Sequence, residues 1–399
     1  MKLRSLVKGA EKQVRIARVY GLAGLRKVAW LRNRLHLPRN ETFEVRSSQS
    51  DGVRVRLVDS EETFERTPPN VPGESHVPFQ FANNQHGACP PTFVAELGRG
   101  RFWGYYGGSV FTEDGRLVAE LSKDVWGPRL HTAYTRAHLP KPRFLAGRVL
   151  SLVTPEAANN YHHWTVDLLS RAGLAERAGY RLHDFDHVLI KDRGLPYQKE
   201  ALKRLEIDED RLIRVNDRTH LQVETLVVPS VRLDNTRVNR GDLQFVRRLF
   251  LPQEPTPSFA RRRLYVSRRD ASFRRVVNEP EIMPLLHEHG FEEVSMSKMS
   301  VAEQAQLFAE AAVLVGPNGS ALANIIFANP ACRVVEFFAP GWVVPYNWML
   351  CANLNLDYTA MIGDGPRPPP GILPREIKQD IHLNVAAFKR VLEKLPPLT

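Results

Sequence analysis

Val313-Leu-Val-Gly316-Pro-Asn318-Gly319-Ser320-Ala-Leu322 passes from a short apolar run through a turn with two glycines to the start of a helical pattern. That succession is the beginning of a βα unit. Upstream, Ser300-x-x-Glu303 is a capping box that opens a helix over 301–311. Before it come a strand at 291–294, a helix over 279–289 between Asn278 as cap and Gly290 as stop, and the strand Leu264-Tyr-Val-Ser267. Downstream, a helix over 320–328 leads to the strand Arg333-Val-Val-Glu336-Phe337, and a last helix is expected over 377–395. Strands that alternate with helices through short connections predict a mostly parallel sheet and an α/β fold class.

The first half reads less regularly. Arg101-Phe-Trp-Gly-Tyr-Tyr-Gly-Gly108 followed by Glu113-Asp-Gly-Arg116 predicts a hairpin that turns at Asp114-Gly115. A helix over 161–178 closed by Gly179, a strand at 186–191, a helix over 197–205 and a strand at 225–229 continue the α/β alternation. Leu251-Pro-Gln-Glu-Pro-Thr-Pro-Ser258 holds three prolines and reads as a linker. A chain of 399 residues exceeds the size at which one core stops growing. The expected organisation is therefore a basic segment 1–40, an N-terminal α/β domain 41–250, the linker 251–258, a Rossmann-like nucleotide-binding domain 259–375 and a C-terminal helix 376–399.

A composition of 43% hydrophobic and 25% charged residues excludes a disordered chain. The longest apolar stretch, 311–327, is interrupted by Gly316-Pro-Asn-Gly319, so no membrane-spanning helix is expected. The net charge of +11 suggests nucleic acid only until it is located. Residues 1–40 carry eleven Lys or Arg against the single acid Glu11, which leaves the rest near +1. The same segment interleaves these cations with apolar residues that include Trp30, the pattern of a helix lying on an anionic membrane surface. Nucleic acid is therefore not an expected partner. Cys89, Cys332 and Cys351 give neither a disulfide framework nor a zinc pattern. The expected location is the cytoplasm, peripheral on the inner face of the plasma membrane.

Candidate chemistry gathers after the strands. Gly319 and Ser320 put backbone N–H groups at a helix start, where anions bind. Arg268, Arg269, Arg274 and Arg275 follow the strand at 264–267, and guanidiniums suit bidentate phosphate recognition. Glu336 near the end of its strand has the chemistry to accept hydrogen bonds from a ribose hydroxyl. In Asn159-Asn160-Tyr161-His162-His163-Trp164-Thr-Val-Asp167, helical spacing puts His163, Asp167 and Arg171 on one polar stripe. That stripe is either a plain surface or a His–Asp general base. Asp184-Phe-Asp186 precedes its strand and reads as turn chemistry, so no metal site is predicted.

Taken in order, Asn160-x-x-His163-Trp164-x-x-Asp167, Ser267-Arg268-Arg269 with Arg274 and Asn278-Glu279, Gly316-Pro-x-Gly319-x-x-Leu322-x-Asn324, and Val334-Val-Glu336-Phe-Phe resemble glycosyltransferase family 61. The likeness is greatest to its bacterial capsular polysaccharide branch and covers roughly residues 100–340. It implies a GT-B-like architecture of two Rossmann-like domains facing a central cleft, acceptor on the N-terminal side and donor on the C-terminal side. It also implies an inverting, metal-independent transfer from a nucleotide sugar, UDP-linked by family habit, to a glycan or lipid-linked glycan acceptor, with no cofactor. In that frame His163 is the base oriented by Asp167, with Asp167 itself the alternative base. Arg268, Arg269, Arg274, Asn318, Gly319, Ser320 and Glu336 hold the donor, and Asn160 and Trp164 face the acceptor. One departure stands out: the family's turn usually reads Gly-Pro-His-Gly-Ala-Gly, and this chain has Asn318 where histidine is usual. An amide hydrogen-bonds but does not exchange a proton near neutral pH. The departure favours the alternative of a nucleotide-sugar-binding protein without turnover; a basic nucleic-acid-binding protein is the weaker alternative.

Overall fold

A computed structural model describes residues 21–45, 52–122, 130–230, 240–369, 371–372 and 375–397. In chain order β1 (Thr42–Phe43) and β2 (Val53–Asp59) precede a two-stranded ribbon of β3 (Glu62–Glu65) and β4 (His86–Cys89). Next come β5 (Thr92–Gly98), β6 (Arg101–Trp103), β7 (Ser109–Phe111), β8 (Leu117–Val118), β9 (Arg143–Ser151), β10 (His187–Ile190), β11 (Leu212–Arg214) and β12 (His220–Pro229). Apart from the ribbon these form one ten-stranded sheet, in which β12, β9, β10 and β11 run parallel. On the other side of β12, β5 and β6 pair antiparallel, and the expected hairpin with its turn at Asp114-Gly115 extends that edge through β7 and β8. The expectation of a Rossmann-like first half is corrected here. Short turns such as the one at Gly115 (φ +88) join neighbouring strands antiparallel, whereas parallel strands need long crossovers.

The second half follows the predicted pattern closely. Strands β13 (Arg262–Val266), β14 (Phe291–Val294), β15 (Ala311–Pro317), β16 (Arg333–Phe338) and β17 (Asp357–Ile362) form an all-parallel sheet in the order β14-β13-β15-β16-β17. The apolar runs of β13 and β15 suit strands covered on both faces, whereas the edge strand β14 carries exposed Glu292 and Glu293. Val313, Leu314 and Val315 are buried, contributing roughly 1.5–3 kcal/mol each. Helix Val301–Ala309 is opened by the Ser300/Glu303 capping box, as the sequence predicts. The segment after Gly319 is instead a 3-10 helix, Ser320–Phe327. The last helix is shorter than expected, Val385–Leu392, because Asn384 caps it and Ile381 is bridged to Val276.

The linker and the basic segment are more firmly held than their composition suggests. Leu251 is buried, Arg247 Nε donates to Glu254 at 2.8 Å, and Asn329 Nδ2 donates to the Thr256 carbonyl at 2.8 Å. One apolar cluster runs from Leu150, Val188 and Val227 of the first sheet to Leu264, Leu314 and Val334 of the second. Residues 1–20 of the basic segment lie outside the described residues. Of the rest, Leu22, Arg26 and Leu37 are buried, and Arg26 donates to Asn40 Oδ1 (2.6 Å) and the Tyr134 carbonyl (2.7 Å). Trp30 is exposed. Among the described residues no helix is long and apolar enough to cross a membrane.

Candidate active site

The order of the second sheet decides where a ligand fits. From β13 the chain crosses to β14 on one side, and from β15 it crosses to β16 on the other, so a crevice opens between the carboxyl ends of β13 and β15. Ser267 and Arg268 leave β13 at that point, and Asn318, Gly319 and Ser320 leave β15. Gly319 is in ordinary extended backbone (φ −177), so its conformation does not require glycine. A Cβ there would meet the Arg268 guanidinium, the far end of a flexible side chain, which would have to shift.

Arg268 donates to the Phe273 carbonyl at 3.2 Å, and Arg274 donates from NH1 to Asn318 Oδ1 at 2.7 Å. Both guanidiniums are partly buried, and the Nε of each is buried without a partner. Among the described residues neither forms a salt bridge. Burial lowers the pKa of both; Arg274 is pushed down to about 10, by burial first and then by the charge of Arg268. Arg274 also sits in left-handed backbone (φ +55), a strained conformation for a side chain of that size. Two desolvated cations side by side are an arrangement completed by an anion.

The other predicted donor residues are placed differently. Arg269 is exposed and held by Glu279 (2.8 Å) and Glu293 (3.3 Å), apart from the Arg268–Arg274 pair; Arg275 pairs with Asp380 at 3.1 Å. Glu336 lies on β16 between β15 and β17 and is wholly buried, so the expected contact with a ribose at the surface is corrected. Its carboxylate instead accepts from Asn318 Nδ2 (2.7 Å), Asn347 Nδ2 (2.8 Å) and the Tyr358 hydroxyl. Burial pushes the Glu336 carboxyl up to about 7 against these donors. Asn347 and Tyr358 escape a reading by motif. The one available signal is an amide inside the apolar helix Tyr346–Asn353.

The other candidate cluster follows β9. Asn160 caps it, its Oδ1 accepting from His162 N at 2.9 Å and its carbonyl from Trp164 N at 3.0 Å. His163–Leu168 is a π-helix that continues into the α-helix Leu169–Arg177. Such π-turns recur at functional sites. His163 Nδ1 meets Asp167 Oδ2 at 2.7 Å, with both side chains mostly covered. The rest of the expected stripe is corrected. Arg171 is buried, donating to the carbonyls of Val153 and Pro229, and Trp164 is a core residue edge-on to Tyr197. Widening the turn from α to π rotates the residues that follow, which a constant 3.6-residue period does not anticipate. Asp186 Oδ2 accepts from Arg148 N at 2.7 Å, a contact to β9 rather than within the turn expected of Asp184-Phe-Asp186.

Two contacts bring this cluster toward the crevice. Tyr161 donates to Asn324 Oδ1 (2.6 Å) on the 3-10 helix that begins at Ser320, and the His162 ring lies 6.2 Å from that of Tyr346. Burial pushes His162 down to about 4, leaving it neutral beside His163. Nearby, Tyr106 (φ +47) donates to Glu156 (φ +63) at 2.9 Å, and Lys191 Nζ binds the Tyr106 carbonyl at 3.1 Å. Strained backbone thus stands on two loops tied to each other.

Residues 161–335 match the family model described as Glycosyltransferase 61. The matched stretch is a glycosyltransferase family 61 domain. It begins at the helix that carries His163 and ends on β16, so it includes His163, Asp167, Arg268, Arg274 and Asn318, with Asn160 and Glu336 just beyond its two ends. The chain is accordingly a glycosyltransferase, which binds a sugar donor and a glycan acceptor. No curated protein matches the chain. The family 61 match leaves Glu336 and the residues that hold it, Asn347 and Tyr358, outside its bounds.

Proposed function

We propose that this glycosyltransferase moves a sugar, with inversion, from a UDP-linked donor to a glycan or lipid-linked glycan during synthesis of a surface or capsular polysaccharide. The observation that carries the reading is the Arg268–Arg274 pair, two partly buried cations at the carboxyl end of a parallel sheet. A diphosphate satisfies both through charge-assisted hydrogen bonds. The first N–H groups of the 3-10 helix, which have no partner inside it, add to this. The acceptor side is read as 41–250, with its mixed sheet, and the donor side as 259–375, with its parallel sheet.

In this reaction the acceptor oxygen attacks the anomeric carbon opposite the diphosphate. The bond to the diphosphate breaks with its electron pair on the leaving oxygen, whose charge Arg268 and Arg274 stabilise without a metal or cofactor. His163 Nε2 takes the acceptor proton, and Asp167 holds Nδ1 and stabilises the imidazolium. Direct proton removal by Asp167 is the alternative. Transfer and donor hydrolysis assayed with UDP, GDP, CMP and dTDP sugars test the proposal. Donor binding without turnover selects instead the nucleotide-sugar-binding reading that Asn318 favours.

Attachment to the inner face of an anionic membrane through residues 1–40 belongs to the same proposal. Its test is deletion of 1–20 alone, because Arg26 and Leu37 are part of the folded body. The shortened chain should lose binding to phosphatidylserine vesicles and keep transfer to a soluble acceptor; unchanged vesicle binding removes 1–20 from the anchor.

A further inference from the structure

We propose that Glu336 is a positioning residue for the donor diphosphate: from inside the sheet it fixes the Asn318 amide, and Asn318 fixes Arg274. The proposal rests on the reading of Arg268 and Arg274 as the diphosphate site. An amide has one donating and one accepting end, and its neighbours choose which faces where. Glu336 Oε1 accepts from both Asn318 Nδ2 (2.7 Å) and Asn347 Nδ2 (2.8 Å), and the second oxygen accepts from the Tyr358 hydroxyl. With Nδ2 drawn inward, Asn318 Oδ1 faces Arg274 and accepts from NH1 at 2.7 Å. The flipped amide would set oxygen against carboxylate and N–H against guanidinium, two repulsive contacts. Asn318, Glu336 and Asn347 are all buried, so water does not relieve that conflict.

This relay gives the unusual residue at position 318 a function. The position needs a group that donates inward and accepts outward, and an asparagine does both without exchanging a proton. Arg274 needs such a hold, because its backbone is strained and its Nε is unpartnered. Glu336 thus touches no part of the donor; it acts through the amide.

Titration calorimetry on the full chain tests the relay, with UDP as probe and inorganic pyrophosphate as the base-free control. Glu336→Gln keeps an accepting Oε1 toward the two asparagines and lets Nε2 donate to the Tyr358 oxygen, so its affinities should stay close to wild type. Glu336→Leu and Asn318→Leu should each weaken both probes about 10- to 100-fold. Neither should weaken them further in an Arg274→Ala background. In kinetics the loss should raise the donor KM far more than it lowers kcat, a split that general destabilisation does not produce. If Glu336→Leu fails to fold, Asn318→Leu carries the test, since Glu336 then keeps Asn347 and Tyr358. Wild-type affinity in Asn318→Leu, or losses that add in full to that of Arg274→Ala, overturn the relay alone. A wild-type protein that binds neither UDP nor pyrophosphate overturns the diphosphate site and the relay with it.

Discussion

Arg262 and Arg333 at the amino end of the five-stranded sheet are held differently from Arg268 and Arg274 at its carboxyl end. Neither end is uniform: Arg263 is buried with an unpartnered Nε, and Arg269 and Arg275 are ion-paired. At the amino end Arg262 is paired with Glu292 and Glu310, and Arg333 with Asp357. At the carboxyl end Arg268 and Arg274 form no salt bridge among the described residues, and each keeps a buried, unpartnered Nε. The pKa shifts follow suit. The hydrogen bond from Glu292 raises Arg262, whereas burial lowers Arg268 and Arg274. An ion pair at a sheet end is complete in itself. Arg268 and Arg274 feel Asp270, Asp380 and Glu336 without a direct ion pair among the described residues, and under the proposed function the donor diphosphate completes them.

The largest expected effect is at His163, to which the proposed function assigns the role of base on the acceptor side. His163→Ala should cut the transfer rate about 10²- to 10⁴-fold while donor affinity stays near wild type. If His163→Ala keeps full activity and Asp167→Asn does not, the base is Asp167.

Glu336 offers a probe of the interior behind that end. Its folded pKa of about 7 lies above the ordinary 4.5, so the folded state holds its proton longer than the unfolded chain does. Stability is therefore lost as pH rises from about 4.5 to about 7, by something on the order of 3 kcal/mol. Glu336→Gln does not ionise. Its stability relative to wild type should improve between pH 5 and pH 8 in urea melts, and taking the difference removes the opposite, acid-side contributions of the buried His162 and His220. A gap that stays flat over this range would show that Glu336 is not held neutral.

Arg268→Ala or Arg274→Ala should weaken UDP binding by about 1.5–3 kcal/mol, whereas Arg262→Ala should leave it unchanged. Equal losses at both ends of the sheet would erase the distinction between them. The smallest effect expected is on folding: Arg262→Ala should change the unfolding free energy by no more than about 1 kcal/mol, because its ion pairs are solvent-exposed. A larger loss in urea melts would mean that the amino end is more than a surface pairing.

Much of the second half was legible because its signals are local. The runs 264–267, 291–294, 313–315 and 333–337 all lie within observed strands except Ser267, which follows one, and the Ser300/Glu303 box opens its helix. The first half was harder to read, since β1, β2, β5 and β6 find partners far along the chain and their identity as strands depends on those partners. Among the candidates, Arg268, Arg274, Asn318 and Gly319 stand after strands as the sequence places them, and His163 meets Asp167 as their spacing predicts. Arg171 was misplaced because a π-turn changes the period, Trp164 because its acceptor role came from the resemblance and not from its apolar spacing, and Arg269 because its acidic partners come from other elements.

By itself the sequence determined the parallel α/β region, the cation-rich strand ends and the glycine turn, because hydrophobic period, caps and turn residues act over a few positions. Only the tertiary structure decided which arginines lack acidic partners, that Glu336 faces inward to Asn318, Asn347 and Tyr358, and that Tyr161 meets Asn324 across 163 residues. Those outcomes depend on which strands lie side by side. A charge becomes a binding group or half of an ion pair according to neighbours that the chain supplies from a distance.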